Sequence, residues 1–64
     1  MIWELYEVWG VESDGHEQLI DTTNSLKEAQ QLAVESLTED IVEVIIYKED
    51  EEGELKEVQV IVNE

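Results

Sequence analysis

Residues 22–40, TTNSLKEAQQLAVESLTED, decide the fold, because here the apolar residues change from a two-residue repeat to a helical one. Leu26, Ala29, Ala33 and Leu37 fall on one helical face with Leu32 on its flank, while Lys27, Glu28, Gln31 and Glu35 point away. Asn24 or Ser25 is placed to cap the N-terminus by accepting a hydrogen bond from an otherwise unpaired amide. The spacing predicts an amphipathic helix of about three to four turns.

On either side of it the chain reads as strands. Residues 2–11, IWELYEVWGV, are dense in aromatic and β-branched residues, which suit a pleated strand. Asp14-Gly15 follows, a pair that tolerates the positive φ angles of a tight hairpin turn, and residues 17–22, EQLIDT, return as a weaker strand. After the helix come DIVEVIIYK and LKEVQVIV, residues 40–48 and 55–62. Val42, Val44 and Ile46 share one face of the first, and Val58, Val60 and Val62 share one face of the second. Setting both valine groups on the same side of the sheet places Ile46 opposite Val58, Val44 opposite Val60 and Val42 opposite Val62. That pairing needs an odd-numbered loop, and three or five residues around DEEGE with Gly53 satisfy it.

The expected architecture is one α+β domain over residues 1–64. It has a two-layer ββαββ order, with a four-stranded, mainly antiparallel sheet and one helix packed on one face. This order resembles the β-grasp arrangement of bacterial immunoglobulin-binding domains, which implies two terminal strands running parallel at the centre. The likeness lies in element order, with no shared motif, and implies no function or binding residue; a sheet in which the two hairpins meet along different strands is equally open.

One helix covers only one face, yet both faces carry apolar residues. Trp3, Leu5, Trp9 and Val11 share one side of the first strand, and Ile2, Tyr6 and Val8 the other. Two arrangements follow. Either the tryptophans lie under the helix and Glu7 and Glu43 mark the wet side, or Trp3 and Trp9 join Ile41, Ile45, Tyr47, Leu55 and Ile61 on an open interaction face. A contiguous apolar patch of that size is uncommon on a soluble monomer. It points to association, most economically a two-fold homodimer that uses the same patch twice.

Composition narrows the partners. A chain of 64 residues encloses a small core, so a second subunit would relieve the shortage of buried surface. Without cysteine there is neither a disulfide framework nor a thiolate zinc site, which suits a reducing, cytoplasmic setting. No signal segment or membrane span is expected. Eighteen acids against three lysines give a net charge of -15, which disfavours direct binding to nucleic acid and anionic membranes and favours a basic protein partner.

The acids Glu49, Asp50, Glu51, Glu52 and Glu54 are weak candidates for a divalent cation. The acidic first ligand of a calcium loop, five residues before its glycine, is replaced by Lys48 for Gly53 and by Gly10 for Gly15. A solvated hairpin tip explains them more simply. His16 is the single histidine and sits beside a turn, Ser13, Ser25 and Ser36 have no spacing that holds a nucleophile against a base, and no glycine-rich phosphate loop is present. The expectation is therefore a non-enzymatic association domain with no cofactor. The competing expectations are an acidic DNA-mimic inhibitor of a nucleic-acid-binding protein and a weak cation-binding module.

Overall fold

The computed structural model describes residues 4–62. It is a two-layer α+β domain with β1 (Leu5–Glu12), β2 (Glu17–Thr23), α1 (Leu26–Ser36), β3 (Ile41–Glu49) and β4 (Leu55–Val62). The four strands form one open sheet in the order β2-β1-β3-β4, and every neighbouring pair is antiparallel. The ββαββ order is as expected, but the parallel centre that the β-grasp likeness implies is absent. β1 lies beside β3, and β4 is an edge.

The helix forms where the period changes. Ser25, in extended conformation, caps it by accepting the Glu28 amide at 3.4 Å, and Thr23 Oγ1 donates to Glu28 Oε2 at 2.7 Å. At the other end no glycine is needed. Leu37 leaves the helix in an extended conformation, and the Thr38 amide donates to the Ile41 carbonyl at 3.1 Å, turning the chain directly into β3.

Ala29 and Ala33 have no exposed surface, so α1 sits close on the sheet over Tyr6, Val8, Val44 and Ile46. Leu26, Leu32, Leu37, Ile20, Ile41 and Ile61 pack around this centre. Gly10 makes room at one end. A Cβ there would stand 2.8 Å from Ile20 Cδ1 and 3.2 Å from Ile41 Cγ2, so the missing side chain lets both isoleucines close over β1.

Each strand pair carries one register shift, and the shifts decide which face each side chain reaches. The β3–β4 loop has the expected odd length, five residues closed by the Asp50 amide on the Glu54 carbonyl at 2.9 Å, with Gly53 at φ 85°. Beyond it, Tyr47 pairs with Glu57 but Ile46 pairs with Gln59, which leaves Val58 as the extra residue. The expected pairs Ile46–Val58 and Val44–Val60 are therefore replaced by Ile46–Gln59 and Val44–Ile61. Gln59 and Ile61 take the helix side, where Gln30 Nε2 donates to Gln59 Oε1 at 2.8 Å, and Val60 and Val62 turn to the open side. A second shift leaves Val42 as the extra residue between the Val11–Glu43 and Glu12–Ile41 pairs, 37% exposed rather than in the core beside Val44.

Candidate interaction face

The face that α1 leaves uncovered is built from alternate residues of all four strands. Cross-strand pairing lines up Leu19, Trp9, Ile45 and Val60 in one row from edge to edge. Acids alternate with apolar residues in the rows on either side. Glu17, Val11, Glu43 and Val62 form one, and Thr22, Glu7, Tyr47 and Glu57 the other. The centre of the sheet is thus an apolar band about 14 Å long between the axes of β2 and β4, at the usual spacing between strands. Four carboxylates rim it.

Trp9 therefore lies on the open side together with Glu7 and Glu43, which combines the two arrangements that the strand pattern left open. Its indole Nε1 donates to Glu7 Oε1 at 2.9 Å, so the polar edge of the ring is satisfied without reaching water. Ile45 is only 9% exposed although no helix lies over it. Its directly paired neighbours Trp9 and Val60, and Tyr47 two residues along, are the side chains placed to shield it. The centre of the band is self-covered, and its ends are open, with Leu19 49% and Val60 39% exposed.

Of the sequence candidates for this face, Trp9, Ile45, Tyr47 and Leu55 come together on it, Leu55 at its far corner through the Glu49–Leu55 pair. Ile41 and Ile61 do not. Both pack against the helix-covered core, Ile61 because the extra residue at Val58 reverses the facing of the rest of β4. Trp3 lies outside the described residues. Leu19, Val60 and Val62 were not among the candidates. For Leu19 the signal was in the sequence, since it alternates with Glu17, whereas for the two valines the shift in register hid it.

Burial pushes the Tyr47 phenol above its ordinary pKa, and the negative charges of Glu17, Glu57 and Glu43 push it further. The folded state accordingly holds this proton more tightly than the unfolded chain. The neutral phenol contributes stability that is fully present below pH about 10 and is lost as pH climbs through the raised folded value. Tyr47→Phe should lessen the loss of stability measured by urea unfolding between pH 9 and pH 11. An unchanged alkaline profile in the variant would mean that neither burial nor these carboxylates raises the phenol's pKa.

The acidic tip is organised by its own backbone. Asp50 Oδ1 accepts the amides of Glu52 and Glu54, each at 2.9 Å, and so closes the turn. Asp50, Glu51, Glu52, Glu54 and Lys56 line a shallow concavity there. Among the described residues no group of three or more acidic or histidine side chains is arranged to hold a metal ion. His16 is exposed between the exposed Asp14 and Glu17, and its amide donates to Asp14 Oδ1 at 2.9 Å. No described helix is long and apolar enough to cross a membrane. Comparison of the chain with protein-family models, curated proteins and solved structures gives no match.

Proposed function

We propose that this chain is a non-enzymatic protein-association domain that works through the open face of its sheet, on a partner with an apolar centre and basic groups at its margin. The observation that carries this is the Leu19–Trp9–Ile45–Val60 row, an apolar band on an uncovered face. The rim of Glu7, Glu17, Glu43 and Glu57 selects the partner's charge, because like charges brought face to face cost several kcal/mol, whereas lysine or arginine there would steer encounter. A second copy docked face to face would set these four carboxylates against their own kind.

One further observation favours a special form of the same reading, in which the partner's basic surface is a nucleic-acid groove. Setting aside Glu64, which lies outside the described residues, the net charge is -15 + 1 = -14 over a long axis of 39 Å. That is one charge per 2.8 Å (39/14), within a factor of two of the one per about 1.7 Å of duplex DNA.

Affinity capture from the native host with the wild-type chain and with Leu19→Glu tests both forms. A basic protein held by the wild type, lost with the variant and released by salt supports the open face as the docking surface. Release by added duplex DNA identifies the groove form, and retention in its presence rejects it. Equal capture by both chains overturns the proposal.

A further inference from the structure

Most of the exposed apolar surface lies on one flank of the molecule. Among the described residues seven large apolar side chains are exposed, and four of them, Leu55, Val58, Val60 and Val62, are on β4. A fifth, Val34, is 61% exposed on the helix. Helix geometry places it on the same flank. Gln30 reaches β4 through its bond to Gln59, and residues four apart on a helix stand one above the other, so Val34 faces the same flank from the helix layer, although the helix itself packs over β1, β3 and β2.

This flank also carries the least negative charge. β4 contains one lysine and one acid, Lys56 and Glu57, and is neutral within a chain of -15. Lys27, three residues before Gln30, stands on the same side of the helix. The opposite edge, β2, carries Glu17 and Asp21 with no lysine. β4 is also an open edge, so alternate backbone amides and carbonyls along it face outward without a partner strand among the described residues. The residues that blunt such edges elsewhere, a lysine and a bulge, occur only in its first half, at Lys56 and Val58. Gln59 to Val62 is left plain.

We infer that two copies of this chain pair through β4, antiparallel and edge to edge, to make one continuous eight-stranded sheet. A two-fold axis perpendicular to the sheet keeps both open faces on one side. The exposed valines of the two β4 strands then stand opposite one another, and the two Val34 side chains face each other across the seam from the helix layer. Antiparallel pairing also sends the two acidic β3–β4 tips to opposite ends of the seam. The homodimer expected from the sequence is thereby moved from the face to the edge. It does not depend on the basic partner proposed above, and it joins the two open faces into one, with the Val60 ends of the two apolar bands meeting at the seam.

Sedimentation equilibrium from 5 µM to 1 mM, in 0.15 M and 0.5 M NaCl, tests the inference on the full chain. The expected result is a dimer that tightens with salt, because screening relieves repulsion between two acidic subunits, whereas docking to a basic partner weakens with salt. Val34→Lys and Val62→Lys should each raise the dimer dissociation constant at least tenfold. Lysine reduces the net negative charge, so long-range repulsion cannot account for that loss. Leu19→Lys, at the opposite edge, should leave the constant unchanged, and circular dichroism of each variant confirms folding. In the wild type, amide exchange should slow with concentration at residues 58–62. A monomer at 1 mM in 0.5 M NaCl, or a dimer broken by Leu19→Lys and indifferent to both valine variants, overturns the inference.

Discussion

Ile46→Ala should leave little folded protein at physiological temperature, while Ile45→Ala, one residue away, should remain folded. Ile46 has no exposed surface and sits beneath α1 with Val8, Val44, Ala29 and Ala33. Truncating such a residue removes its transfer free energy and leaves a cavity, together about 2–5 kcal/mol. A domain of this size has a total stability of only about 3–5 kcal/mol, so the loss is comparable with the whole. At about 4–8 °C per kcal/mol the melting temperature should fall by about 8 °C or more. Ile45 lies on the other side of the sheet under Trp9, Tyr47 and Val60, side chains that can settle into the space left behind. Thermal unfolding of the two variants side by side measures the contrast. Equal losses would mean that the open face is a second core, which would remove the ground for a docking surface there.

The second large effect concerns charge. Of the three lysines, Lys48 is in a salt bridge with Glu4 at 3.6 Å, and both side chains are more than two-fifths exposed, so the pair offsets little of the repulsion. Folding draws the charges together, to a radius of gyration of 11.6 Å against about 24 Å for an unfolded chain of this length. The native state therefore repels itself more than the denatured one. Sodium chloride shortens the screening length from about 30 Å at 0.01 M to about 3 Å at 1 M and should relieve the difference. The melting temperature should rise by roughly 5–10 °C over that range, equivalent to about 1–2 kcal/mol for a small domain. Measurement at a protein concentration low enough to keep the chain monomeric separates this from dimer formation. A melting temperature that is flat or falls with salt would show that the carboxylates are held in favourable arrangements.

The elements were legible from the sequence because each has one strong local cause. The helix was set by Leu26, Ala29, Ala33 and Leu37, and both hairpins were set by glycines that the structure places at positive φ, Gly15 at 93° and Gly53 at 85°. Strand order was less accessible. β1 is apolar on both faces, which suits any central position, and nothing local distinguishes β3 from β4 as its neighbour. The facing of β4 was hidden for a different reason. Its extra residue at Val58 has no glycine or proline to mark it, and one residue is enough to exchange Val60 and Val62 for Gln59 and Ile61. The contact that goes with the observed facing is long-range: Gln59 meets Gln30, twenty-nine positions away. The same hidden shift put Ile61 among the expected interface residues and left Val60 and Val62 out.

The strand order also sets the sequence of events by which the chain assembles. β1 with β2, and β3 with β4, are hairpins joined by short turns, and such units close in about 1–10 µs. The pairing of β1 with β3 is of another kind, since the whole of β2 and α1 lies in the loop it closes. The entropy of closing that loop is offset only when α1 docks and buries Val8, Val44 and Ile46 together. The slow step is then the meeting of two preformed hairpins under the helix, and residues of the β1–β3 seam, rather than the turns, should govern the folding rate.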